Sequence, residues 1–221
     1  YVSVYLMKRY GPSAIVQLVR KLGMTSEIPE VPAIALGACE LTLYEMVGAV
    51  NAFNNKGVYV KPIFITKICN NKGSVLARFS SEQNEAMDEV SAYKTVRLMQ
   101  GVVDHGTAVR LIYRYKLDMQ MAGKTGTTDN NSDGWFMGYT PQLTAGVWVG
   151  CEDRAAHFRA MSLGQGANTA LPVWAIFVKK CYEDKSLHFS KTQEFQKPAE
   201  NIDIEFDCSK YVGEKSSSSK Y

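Results

Sequence analysis

The string Met121-Ala122-Gly123-Lys124-Thr125-Gly126-Thr127-Thr128 concentrates a cation, hydroxyls and small residues in a few positions. Two chemistries use a Gly-Lys-Thr core. A phosphate-binding loop requires a glycine five positions before the Gly of that core, and position 118 is Asp. It also requires a turn before the lysine and a helix after the threonine. Here Leu117, Met119 and Met121 instead alternate with Asp118, Gln120 and Ala122, as in a strand running straight into Lys124, and a polar loop follows. The second chemistry is acyl transfer beside an extended strand. An ammonium at Lys124 supplies positive potential to an anionic acyl donor and to a nucleophile nearby. Gly126, lacking a side chain, lets a substrate backbone come close. Hydroxyls at Thr125 and Thr127 can hold a terminal carboxylate, and the backbone N–H of Thr127 can serve an oxyanion. Period two puts Lys124 and Gly126 on one face and the two threonines on the other.

Other chemistry-bearing residues carry less. His105 follows Asp104 at an expected helix end, where a dipole contact or plain exposure accounts for it; His157 and His188 lack partners at ligand spacing. Asp129, Asn130, Asn131 and Asp133 resemble an acidic loop but lack the following Glu of a calcium loop. Cys39, Cys69, Cys151, Cys181 and Cys208 are scattered, with no CxxC pair. An odd count excludes full pairing, and neither a metal nor a cofactor is expected. Trp135, Trp148, Met119 and Met121 sit in apolar strands and read as core. The net charge of +3 and the lone Lys179-Lys180 pair give no nucleic-acid footprint. No apolar run is long enough to cross a bilayer, and residues 1–10 do not have the pattern of a signal peptide.

Several elements must position the strand. Residues 1–10 read as the tail of a helix, Gly11-Pro12 as a break, and Ile15 to Leu22 as a second helical stretch stopped by Gly23. Thr42-Leu43-Tyr44-Glu45 is a capping box opening a helix that ends at Asn54–Gly57. Val58–Cys69, the turn Asn70–Gly73 and Ser74–Phe79 predict a hairpin, with Pro62 marking an edge. Residues 80–89 read as a polar loop, and Ser91 as the cap of a helix closing at Gly106. Strands are expected over 117–126, 135–139 and 143–150, and a last helix over 171–182. Residues 184–221 read as a loose polar tail. The order is α+β, an antiparallel sheet flanked by helices.

Around Lys-Thr-Gly stand Gly101-Val102-Val103-Asp104-His105-Gly106-Thr107-Ala108, then Asp133-Gly134-Trp135-Phe136-Met137-Gly138-Tyr139-Thr140-Pro141, and Ala145-Gly146-Val147-Trp148-Val149-Gly150. Leu36 to Ala38, Glu45-Met46, Phe53 to Gly57 and Gly164-Gln165-Gly166-Ala167-Asn168-Thr169-Ala170-Leu171-Pro172-Val173-Trp174 complete the pattern. Together these resemble the transpeptidase domain of class A, bifunctional penicillin-binding proteins over residues 1–183. The resemblance implies a β-lactamase/transpeptidase-like fold. It also implies a serine acyl-enzyme D,D-transpeptidase that cross-links peptidoglycan stem peptides ending in D-Ala-D-Ala and is trapped by β-lactams. Lys124 then serves catalysis, while Thr125, Gly126 and Thr127 bind substrate.

The family also needs a Ser-x-x-Lys nucleophile and a Ser-x-Asn element. No Ser-x-Asn occurs. Ser91-Ala92-Tyr93-Lys94 fits the first by letters but stands too close to Lys124 and reads as a helix cap; Ser217-Ser218-Ser219-Lys220 is tail composition. The chain is therefore expected to start after both elements and to be inactive alone. The parent protein would carry an upstream membrane anchor and glycosyltransferase and work on the extracytoplasmic, periplasmic face of the bacterial cytoplasmic membrane. A non-catalytic β-lactam or muropeptide sensor is the alternative on the same scaffold.

Overall fold

The computed structural model describes residues 2–202, 204–206 and 210. Helix α1 (Val2–Lys21) contains Pro12 and is broken at Gly11, whose φ of 75° and ψ of 160° lie outside the helical region. Glycine reaches that φ without a Cβ clash, and the following proline cannot continue a helical ladder. Gly23 (φ 83°) ends the element.

Thr42 caps α2 (Leu43–Asn54), and the capping box is complete. Glu45 goes beyond it. Its carboxylate accepts from the amide and hydroxyl of Thr25, of Ser26 and of Thr42, at 2.6–3.1 Å. Burial pushes this carboxyl up, but the hydrogen bonds from Ser26, Thr42 and Thr25 outweigh it and hold the group well below the usual carboxylate range.

The expected single hairpin over 58–79 is an interrupted ribbon. β1 (Val58–Val60) pairs with β4 (Gln83–Glu85), inside the stretch read as loop, and β2 (Lys67–Cys69) pairs with β3 (Val75–Arg78). Pro62, which has no N–H to give, falls between the paired stretches. Helix α3 (Glu89–Asp104) is capped by Asp88, whose side chain accepts from the Ser91 amide, so Ser91 lies inside the first turn and is not its cap. A short helix α4 (Arg110–Tyr113) follows.

The three-stranded antiparallel sheet has the order β5-β6-β7, from β5 (Ala122–Thr127), β6 (Asp133–Thr140) and β7 (Leu143–Gly150). β5 is shorter than the expected 117–126 because pairing begins at Ala122↔Tyr139, and β6 turns into β7 just past Thr140. Nothing in the sheet is left to face residues 117–121. Their polar side chains meet the later chain instead: Asp118 pairs with Lys191 at 2.9 Å, and Gln120 Oε1 accepts from the Phe195 amide at 3.0 Å.

After α5 (Met161–Gly164), helix α6 (Ala170–Glu183) lays Leu171, Trp174, Ala175 and Val178 on one sheet face. Trp174 and Phe136, both fully buried, meet edge to face at 5.2 Å. α2 and α3 cover the other face through Val50, Tyr93 and Val96 against Ala122, Met137 and Tyr139. Phe195, in the stretch read as a loose tail, joins this second core and packs edge to face on Tyr139 at 5.7 Å. Cys208 and the serine run at 216–219 lie outside the described residues.

Candidate functional site at the open edge of the sheet

The Lys124–Thr127 segment is a strand, followed by one 3-10 turn (Asp129–Asn131) and the next strand with no α-helix between, which removes the phosphate-loop alternative. Among the described residues β5 pairs only with β6, which leaves its other edge open. Which backbone groups point there follows from the ladder. Thr128 N donates to Asp133 O at 3.1 Å, and the Asp133 amide donates to the Thr128 hydroxyl oxygen at 2.9 Å. Hydrogen-bonded pairs alternate along an antiparallel ladder. The register Gly126↔Trp135 and Lys124↔Met137 therefore turns the N–H and C=O of Gly126 and Lys124 toward β6. Those of Thr125 and Thr127 face the open edge. The Thr125 carbonyl accepts the Lys124 ammonium there, at 2.7 Å.

Side chains alternate as the sequence predicts. Lys124 and Gly126 share the face of Trp135 and Met137. A Cβ on Gly126 would stand 3.1 Å from the Trp135 Cβ, so the glycine lays this stretch directly over a half-buried indole. Lys124 is exposed and has no ion pair among the described residues. On the other face the two hydroxyls already have partners. Thr125 Oγ1 lies 2.9 Å from Thr107 Oγ1, and Thr127 Oγ1 accepts the Gly166 amide at 3.0 Å. A hydroxyl carries one donor and two acceptor sites. Thr127 therefore retains its O–H, and the Thr125–Thr107 pair retains one.

The closed end of the β5–β6 hairpin is held by Asp133, 8% exposed. Its carboxylate accepts from Trp148 Nε1 at 2.8 Å, and from the hydroxyls of Ser132 and Thr128 at 3.1 Å each. The acidic loop read from sequence is thus a pinned turn, with Asp133 aimed inward. Trp148, read as core, is 38% exposed and stands 6.4 Å from Trp135.

Ser91 is remote from this edge. Its hydroxyl donates to Asp88 at 2.7 Å at the start of α3, whereas the contact to Thr125 comes from Thr107 beyond the helix's end. The intervening helix spans about 20 Å at 1.5 Å per residue. The sequence carries Gly106-Thr107-Ala108 and Gln165-Gly166-Ala167 as parts of the family resemblance and assigns them no role; Thr107 and Gly166 were the available signal for the two partners of the strand.

An antiparallel sheet sandwiched by helices, with a Lys-Thr-Gly-Thr strand open at its edge, defines a transpeptidase-like domain of the β-lactamase type. The family described as the penicillin binding protein transpeptidase domain matches residues 30–158, and the chain belongs to it. Penicillin-binding protein 1A of Aquifex aeolicus is 33% identical over 200 residues, 90% of this chain and 26% of that protein. The chain thus spans about a quarter of the length of the curated relatives it matches. Among solved structures, penicillin-binding protein 1A from Haemophilus influenzae superposes with a TM-score of 0.78 at 20% identity, covering 90% of this chain and 34% of the other. The PonA1 protein from Mycobacterium tuberculosis, in complex with penicillin V, gives a TM-score of 0.68 at 24% identity, over 89% and 56%.

Proposed function

We propose that this chain is the Lys-Thr-Gly-bearing portion of a peptidoglycan D,D-transpeptidase, acting on stem peptides that end in D-Ala-D-Ala and inhibited by β-lactams. One observation carries this reading: the open edge of β5 presents the Thr127 amide and carbonyl, and the same strand carries a free O–H at Thr127 and, at Lys124, an exposed ammonium with no carboxylate partner among the described residues. An extended peptide can add to such an edge as a further strand. Its carboxylate end then meets the threonine hydroxyls and the positive potential of Lys124. The scissile carbonyl is left beside the outward Thr127 amide, which can donate to the developing oxyanion. In the reaction, a serine hydroxyl attacks the penultimate D-Ala carbonyl and the terminal D-Ala leaves as an amine carrying a proton. An acceptor amine then displaces the serine, which regains its proton.

The serine and its base are assigned to parts of the protein outside residues 1–221, since no Ser-x-Asn element occurs here and the Ser91 hydroxyl is bonded to Asp88, the cap of α3. The whole protein is further assigned to the extracytoplasmic face of the cytoplasmic membrane. An anchor and a glycosyltransferase domain would also lie beyond this chain; among the described residues no helix is long and apolar enough to cross a membrane.

The test is fluorescent penicillin labelling of the longer protein that contains this chain, with the adduct located by mass spectrometry. A serine outside residues 1–221 is expected to be labelled, and the isolated 221-residue chain is expected to take no label. An adduct on Ser91, or an unlabelled long protein, contradicts the reading. Cross-link formation over many turnovers, measured alongside, separates a transpeptidase from a sensor, which acylates but forms no cross-links.

A further inference from the structure

Each hydroxyl of the motif leans on a different segment, and one side chain ties those segments together. Thr125 meets Thr107, three residues before Arg110. Thr127 accepts from Gly166. Arg110 Nη1 donates to Ala167 O at 2.9 Å and to Asn168 Oδ1, directly after Gly166. Asn168 reaches back to Ser162 O at 2.6 Å, and the Leu171 amide donates to Gly166 O at 2.9 Å, which fixes the segment to the start of α6.

Gly166 is pressed onto the sheet so tightly that a Cβ there would lie 2.3 Å from Gly126 O and 2.4 Å from Trp135 O. The bond from Gly166 thus depends on an approach that only glycine permits, held in place by the half-buried guanidinium.

We infer that Arg110 is a positioning residue for acyl-donor capture, acting through Gly166 on the Thr127 hydroxyl and through the Thr107 segment on Thr125. The inference rests on the transpeptidase reading of this edge. With the Gly166 amide on one lone pair, the Thr127 oxygen is oriented and its O–H is directed to another acceptor. The free donor of the Thr125–Thr107 pair is set the same way. A carboxylate arriving at the edge finds both donors in place and need not order them on arrival. Arg110 itself does not touch the substrate. One nitrogen, Nη1, reaches the Ala167 carbonyl and the Asn168 side-chain oxygen together.

The experiment uses the full-length protein and measures acylation by fluorescent penicillin over a concentration series, so that the dissociation constant of the reversible complex and the first-order acylation rate are read separately. Arg110→Ala is expected to raise the dissociation constant about tenfold, the scale of one misplaced hydrogen bond to a charged group, while the acylation rate stays within about twofold. In a Thr127→Val background, Arg110→Ala is expected to add less than about twofold, because the group it positions is gone. Asn168→Ala removes the other end of the clamp and is expected to show the same pattern, which keeps the test available if the arginine variant does not fold. Equal losses in both backgrounds, or folded Arg110 and Asn168 variants with wild-type dissociation constants, overturn the inference. An unlabelled wild type instead removes the transpeptidase reading itself.

Discussion

Two polar clusters in this molecule use the same kinds of groups to opposite ends. At Glu45 a buried carboxylate is closed on itself by donors from Thr25, Ser26 and Thr42. At the β5 edge Lys124 and Thr127 are exposed, and the O–H of Thr127 and the outward amides of Thr125 and Thr127 retain donor capacity. Glu45 links residues 25–26 to the first turn of α2, so its hydrogen bonds hold two parts of the chain together. The edge residues hold little of the fold together, because the sheet is secured on its faces by Trp174, Phe136 and Tyr139. The contrast separates structural from functional polarity: where every donor and acceptor is internally matched the cluster stabilises the fold, and where capacity is left open on a rigid element the site awaits a partner.

The comparison breaks most visibly at Glu45. Glu45→Ala removes the buried carboxylate that accepts six hydrogen bonds from Thr25, Ser26 and Thr42 and is expected to lower the unfolding free energy by about 3 kcal/mol, read from the urea midpoint at constant slope. Asp133→Ala is the intermediate case. It strands the Trp148 indole N–H and two hydroxyls at the hairpin end, with an expected loss of about 2 kcal/mol.

A pH titration sharpens the same contrast. The Glu45 carboxyl is depressed in the fold, so its stabilisation is fully present above the unfolded value of about 4.3 and is lost as pH falls below it. The unfolded chain takes up this proton first. Glu45→Gln is expected to flatten that part of the stability profile between about pH 5 and pH 2, leaving any slope from other carboxylates. At the small end, Ser91→Ala removes one exposed hydroxyl bond to Asp88 and is expected to change stability by less than about 0.5 kcal/mol, with no change in penicillin labelling of the full-length protein.

Much of this was legible in the sequence. The capping box at Thr42, the break at Gly11-Pro12, the antiparallel meander and the strand character of Lys124–Thr127 all rest on local rules, and local rules survive folding. One misreading was local, since Asp88 and not Ser91 caps α3; the other misjudged parts depend on non-local pairing. Residues 117–121 alternate as a strand does, but β6 ends before reaching them. β1 pairs with β4 and not across the Asn70–Gly73 turn. Phe195 lies in a polar stretch whose composition hides one buried aromatic. The pairing of the two threonines with their partners was not legible for the same reason, although the motifs that hold those partners were. Thr107 and Gly166 meet β5 only when the end of α3 and the entry to α6 converge, and no spacing rule announces that convergence.

The central claim is that the β5 edge is built for a ligand and not for the fold. Its most direct measurement is a paired one on the full-length protein, taking thermal unfolding and the second-order constant for penicillin acylation for Lys124→Ala beside Glu45→Gln. The account predicts a crossed result. Lys124→Ala keeps its unfolding temperature within about 2 °C, the shift expected for less than about 0.5 kcal/mol, and loses at least about tenfold in acylation. Glu45→Gln loses stability and keeps most of its acylation while folded. A Lys124→Ala protein that unfolds early, or that acylates like the wild type, would contradict it.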